Sequence, residues 1–178
     1  MDKLFGEFVW PMLLLVLMEI NVLIDKDFAQ YLEVSWLQNI VESVLLQERT
    51  DSEVELGLVI TDQETVRGLN RTYRNKDEPT DVLSFYMLPE LLATGGNDNS
   101  VFVQPLDGIL HLGEVLISYP QAVLQAEEHR HSVKREIAIL IIHGVLHLLG
   151  YDHVEPEIER LMKTRENANL ISIEEELD

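Results

Sequence analysis

The sequence predicts an α+β fold: a small mixed β-sheet of about four strands with helices packed on it, one of them a buried helix set against the sheet. Three observations lead there. From residue 20 onward, apolar segments of period two alternate with segments of helical period, in the order β-α-β-α-β-β followed by helices. Helical crossovers between the early strands favour parallel pairing, and the helix-free connection between the last two strands permits antiparallel pairing. Residues 137–142, Ile-Ala-Ile-Leu-Ile-Ile, are apolar on every side, the pattern of a helix with no solvated face.

Each element has its own signal. Ile20–Ile24 reads as a strand. Ser35 is a candidate cap for a helix over Trp36–Glu48, which carries Trp36, Ile40, Val41, Val44 and Leu45 at helical spacing. Val54–Thr61 alternates Val54, Leu56, Leu58 and Ile60 with other residues, as a strand does. Thr61 and Asp62 precede a helix with Val66, Leu69, Asn70 and Tyr73. A strand over Asp81–Leu88 follows. The stretch 91–107 contains Gly95-Gly96-Asn97-Asp98-Asn99-Ser100 and reads as a loop. Ile109–Ser118 reads as another strand, and Tyr119-Pro120 opens a helical stretch with a polar segment at 126–132. A helix over Val133–Leu149 follows. Pro156 then starts a last helix with Ile158, Leu161 and Met162. The acidic end, Glu174–Asp178, is expected to be solvated.

At 178 residues the chain suits one domain with a sizeable core, and 46% hydrophobic with 25% charged residues is the composition of a soluble globular protein. The absence of cysteine excludes disulfides and thiolate metal ligands and fits a cytoplasmic setting. Residues 8–18 are apolar, but their leader is not net positive and no small-residue cleavage site follows. The run is also shorter than the roughly 20 residues that span a bilayer. Residues 1–17 are therefore expected to be an N-terminal extension, with Met18 as an alternative start. A single domain is expected over 18–170 and an acidic tail over 171–178. The net charge of −19 disfavours non-specific binding to nucleic acid. Against that, residues 67–76 hold Arg67, Arg71, Arg74 and Lys76 with no acid among them.

Three of the six histidines lie in residues 143–153, at His143, His147 and His153. On a helix, residues four apart sit about 40° apart on one face, so His143 and His147 can direct imidazole nitrogens at one ion. His153 would point about 120° away from that face if the helix continued. Gly150 supplies the stop that lets the chain turn back and deliver it. Three protein ligands leave a position for water, the arrangement of a catalytic zinc. Zinc, nickel and cobalt all suit three imidazoles. In zinc peptidases of the His-Glu-x-x-His type the residue after the first histidine is the general base. Here it is Gly144, so peptidase chemistry is disfavoured.

The run His143-Gly-Val-Leu-His147-Leu-Leu-Gly150-Tyr151-Asp152-His153 resembles the signature of the YbeY family, bacterial metal-dependent endoribonucleases of ribosomal RNA maturation. A second block agrees, from Leu69-Asn70-Arg71 through Tyr73-Arg74-Asn-Lys76-Asp77 to Asp81-Val82-Leu83-Ser84-Phe85. The resemblance implies one zinc ion per chain on His143, His147 and His153, with His143 and Arg74 in catalytic roles. It implies a single-stranded ribosomal RNA substrate at the 3′ end of the small-subunit RNA. Partners would be the small subunit or its assembly proteins, and none would be a membrane.

The residues themselves leave alternatives. A guanidinium at position 74 suits phosphate, but it also suits a helix C-terminus. Arg71 and Lys76 read either as phosphate contacts or as solvated charges. Asp152 reads as a carboxylate orienting a ligand or as a turn residue. Ser84 and Thr80 read as structural, His129 and His131 as a solvated helix face, and His111 has no role. Glu114 stands where the family more often has Asp, which puts a water-activating role for it in doubt. Two other functions stay open: a metallohydrolase with a non-RNA substrate, and a non-enzymatic ribosome-assembly factor containing zinc.

Overall fold

A computed structural model describes residues 17–50, 53–87, 108–151 and 155–177. In chain order its elements are β1 (Met18–Ile24), α1 (Val34–Gln47), β2 (Val54–Thr61), α2 (Gln63–Arg74), β3 (Val82–Tyr86), β4 (Leu110–Ser118), α3 (Tyr119–His129), α4 (Val133–Leu148) and α5 (Pro156–Ser172). A short 3-10 turn, Glu174–Glu176, follows. The expected loop over 91–107 and all but Leu17 of the expected N-terminal extension lie outside the described residues.

The sheet order is β1-β2-β4-β3, an α+β arrangement with helices on the sheet, as the alternation of periods predicts. β1 pairs with β2 in parallel, β2 with β4 in parallel, and β3 with β4 antiparallel. Direct succession in the chain thus gives the one antiparallel pair of this sheet, and β4 inserts between β2 and β3. The main core lies where Leu56, Leu58, Ile60, Val115 and Ile117 meet Leu37, Ile40 and Val41 of α1 and Ile137, Ile141 and Val145 of α4. On the other face, Val66 of α2 packs with Leu83 and Leu116 in a smaller cluster. None of the described helices is long and apolar enough to cross a membrane.

Two local expectations are corrected. The residue capping α1 is Glu33, whose side chain makes no capping bond, and Ser35 lies inside the first turn. The acidic end is not simply solvated: Ile173 and Leu177 are buried in the main core. Arg135 of α4 also pairs with Glu174. Period two or 3.6 does not register two isolated apolar residues beside four acids, Glu174, Glu175, Glu176 and Asp178, so this anchoring is invisible in the pattern.

α4 lies unusually close to the sheet at one place. A Cβ on Gly144 would stand 2.5 Å from Val115 Cγ1 and 3.2 Å from Ser84 Oγ. Ser84 Oγ donates to the Gly144 carbonyl at 3.1 Å, tying β3 to the helix backbone. The missing side chain at 144 is therefore a packing requirement. On the other side of the sheet, α2 starts at Asp62, whose carboxylate accepts from Thr65 N at 2.9 Å and Thr65 Oγ1 at 2.8 Å. These bonds, that from the Thr65 backbone above all, hold the Asp62 carboxyl below its ordinary pKa.

Two outcomes are expected from this packing. Gly144→Ala gains up to about 1 kcal/mol of helix propensity but overpacks a buried β-branched neighbour at a cost of about 1–3 kcal/mol, so urea unfolding should show net destabilisation. Asp62→Ala should cost about 1 kcal/mol at neutral pH through loss of the cap. Because the native carboxyl has the lower pKa, its contribution is present above the ordinary carboxylate range and is lost as pH falls through it. Wild type and Asp62→Ala should therefore converge in stability on acidification, read by thermal unfolding across pH.

Candidate metal centre

The end of α4 is shaped by a glycine in the left-handed region. Gly150 has φ +94°. Its N–H bonds to the His147 carbonyl at 2.8 Å, and Tyr151 N–H bonds to that of Leu146 at 3.1 Å. This paired closure of the last turn is the C-terminal motif that glycine allows, and it stops the helix where the sequence places the stop. The turn puts the Tyr151 carbonyl 2.9 Å from His147 Nδ1. One turn earlier on the same face, His143 Nδ1 lies 2.7 Å from Glu166 Oε1 of α5. The two imidazoles stand edge to face with centroids 4.6 Å apart.

Each Nδ1 thus faces an oxygen that can only accept. In a neutral ring the proton sits on Nδ1 and the lone pair on Nε2. Imidazoles that ligate metals are oriented in this way, with the far N–H given to a carboxylate or carbonyl. The donor set fits a zinc-class ion held through Nε2 of His143 and His147. His153, the expected third ligand, and Asp152 lie outside the described residues. For His143 the orienting carboxylate is Glu166. Nothing in the sequence singles Glu166 out, because it lies on another helix 23 residues away.

The last turn is held from below by a buried carboxylate. Glu48, at the end of α1 and 5% exposed at its side chain, accepts from Tyr151 Oη at 2.8 Å and from Asn169 Nδ2 at 2.9 Å. Arg165 stands 3.8 Å away. Burial, and then the bond to Glu48, push the Tyr151 phenol above its ordinary pKa, so it stays a donor. α1, α5 and the histidine-bearing turn are locked through this one group.

The histidines line a groove of about 610 Å³ that also includes Arg74, Thr80, Ser84 and Glu166. Arg74 is the last residue of α2. Asn75 follows it in the left-handed conformation at φ +55°. Buried Asn70 secures the turn by donating to the Glu78 carbonyl at 2.9 Å, and Tyr73 meets Phe85 of β3 edge-on at 5.2 Å. Arg74 makes no ion pair among the described residues. Arg67 differs, being tied to Asp77 at 2.8 Å, and neither Arg71 nor Lys76 lines the groove. Ser84 has a double position, facing the groove and bonded to Gly144. Glu114 does not line the groove, and its side chain lies over Gly57 of β2. His111 pairs with Glu55 across the β2–β4 ladder.

The reading of His129 and His131 as a solvated face holds for His129, which is exposed, and is corrected for His131, which is partly buried. Both contact Glu136, which is 3% exposed, and the three side chains form a group that could hold a metal ion. Glu136 lies seven residues before His143 on α4 and, with His129, lines the same groove. The charged run Glu127-Glu128-His129-Arg130-His131 hides this arrangement, because the fold supplies the buried carboxylate from the next helix.

Removing the phenol tests the lock on the last turn. Tyr151→Phe should cost about 1–2 kcal/mol in urea unfolding, since it leaves a buried carboxylate with one fewer donor.

The comparisons with known proteins bear on the same residues. The family model described as Endoribonuclease YbeY matches residues 23–174. A relative from Dehalococcoides mccartyi, named Endoribonuclease YbeY, is 50% identical over 164 residues, which is 90% of this chain and 93% of the relative. A relative of the same name from Roseiflexus is 40% identical over 152 residues, 85% of this chain and 90% of the relative. The solution structure of TM1509 from Thermotoga maritima is similar with a TM-score of 0.53, at 22% identity, over 85% of this chain and 86% of that one, a likeness of fold alone. With the family model spanning all the described elements from the end of β1 to the final turn, the chain belongs to the YbeY endoribonuclease family.

Proposed function

We propose that this protein is a metal-dependent endoribonuclease acting on single-stranded RNA, with one zinc-class ion on His143, His147 and His153 and with Arg74 engaging the scissile phosphate. The observation that carries the reading is the orientation of His143 and His147 by Glu166 and the Tyr151 carbonyl in the groove that also holds Arg74. The name of the relatives supports RNA as the substrate. Ribosomal RNA, at the 3′ end of the small-subunit RNA, is supported by the family resemblance, as is a cytoplasmic setting.

An ion held there supplies Lewis acidity and lowers the pKa of water toward about 7. The chain supplies the rest. Arg74 offers a planar fork that binds a phosphate through two parallel N–H bonds and stays charged at every working pH. Its place at the end of a helix pinned by Asn70 supports that role by holding the guanidinium at the groove. Glu166 accepts a hydrogen bond from His143 Nδ1–H and orients the ring with Nε2 toward the ion. Gly144 offers no proton-accepting side chain, which argues against peptide hydrolysis and leaves its backbone for contact with Ser84. With a net charge of −19, the affinity for RNA must come from the groove and from the ribosomal particle that presents it.

The test is cleavage of a labelled single-stranded RNA by protein of measured metal content, wild type beside Arg74→Ala. Wild type should cut with about one metal at this centre. Arg74→Ala should keep metal and fold but lose at least about a hundredfold in rate. Equal cleavage by both would remove Arg74 from the mechanism. No cleavage by metal-replete wild type, on free RNA or on small-subunit particles, would sink the ribonuclease reading.

A further inference from the structure

We propose that His129, His131 and Glu136 form a second metal site, which takes a zinc-class divalent ion beside the groove. The metal site stands independently of the reading of His143 and His147, while its role toward RNA rests on the proposed ribonuclease function.

The geometry begins with Arg130. It ends α3 in the left-handed conformation, at φ +59°, an uncommon choice for a residue with a side chain. That turn brings the rings of His129 and His131 to 5.5 Å, over the first turn of α4. Glu136 Oε2 then stands 3.3 Å from His129 Nδ1 and 3.0 Å from His131 Nε2. Ligand atoms about 2.0–2.1 Å from a tetrahedral zinc are about 3.3 Å from one another; the two histidine–carboxylate spacings match this, and all three ligand atoms lie within 4.8 Å of one another.

The hydrogen bonding decides what the group lacks. His131 Nδ1 faces the Ser132 carbonyl at 3.1 Å and so carries a proton. In the neutral ring Nε2 then presents its lone pair to the Glu136 carboxylate, an acceptor facing an acceptor. Glu136 is 4% exposed at its side chain, too little for water to relieve this. A positive species is required between them, either a proton on the ring or a metal ion. One carboxylate oxygen with two imidazoles converging on it favours the ion. Two imidazoles and a carboxylate select zinc, cobalt or nickel over magnesium or calcium, which need oxygen shells.

Seven residues along α4 separate Glu136 from His143, about 10 Å of helix. Paired metal ions that clamp one phosphate stand about 3.5–4 Å apart, so this ion serves a different phosphate of the same strand. Since Glu136 and His129 line the groove, it adds positive charge where a chain of net charge −19 must hold a polyanion.

The test is metal counting on tag-free full-length protein, stripped with chelator and reloaded with Zn2+. Wild type is expected to hold two zinc ions, and both His129→Ala/His131→Ala and His143→Ala/His147→Ala one each, with circular dichroism confirming the fold. His129→Ala alone, at a side chain 58% exposed, should weaken one site at least tenfold by titration calorimetry without disturbing the core. Cobalt in His143→Ala/His147→Ala should give visible bands of a low-coordinate ion. One zinc in wild type and in His129→Ala/His131→Ala alike, with no such bands, would overturn the proposal in favour of an imidazolium–carboxylate pair. A single zinc in wild type that is lost in His129→Ala/His131→Ala would support this site and sink the other.

Discussion

The contact of α4 with the sheet at Gly144 governs the arrangement of the site. With no side chain at that position, the helix backbone reaches Val115 and accepts a hydrogen bond from Ser84. That approach sets the depth at which His143 and His147, on either side along the same helix, meet the groove. A residue large enough to act as a base at 144 would have to displace a buried strand. The position that distinguishes this chain from His-Glu-x-x-His peptidases is thus a packing position as well.

A second constraint operates through Glu48. Its buried carboxylate gathers donors from the turn after α4 and from α5, and it closes the helix end whose Tyr151 carbonyl orients His147. Glu166, on the same α5, orients His143. α5 therefore orients His143 directly through Glu166, and reaches His147 only through Asn169, Glu48 and the turn at Tyr151. Buried charge is costly when unpaired, so this polar network and the orientation of the two imidazoles depend on one another.

The groove holds one guanidinium, Arg74, beside the carboxylates of Asp81, Glu136 and Glu166. Arg67 is neutralised by Asp77, and Arg71 and Lys76 lie off the groove, so of the basic run at 67–76 only Arg74 faces it. The motif works chiefly as a support for that one guanidinium. Asn70 and Tyr73 hold the turn and the helix against β3 while Arg74 projects.

Much of the fold was legible in the sequence because period and punctuation act locally. The strands β1 to β4, the buried α4 and the stop at Gly150 follow from apolar spacing and from one glycine in a left-handed turn. The pairing of His143 and His147 follows from the pitch of a helix. What only the tertiary structure decided are contacts between elements distant in the chain. Examples are Glu166 on His143, Glu48 beneath Tyr151, Leu177 returning to the core, and buried Glu136 between two histidines that read as solvated. Acidic residues carry no periodic signal when buried singly, and their roles are set by which donors the packing brings within about 3 Å. The sequence determined which residues could ligate and where the helices bear them; the packing determined which acceptors fix their protons.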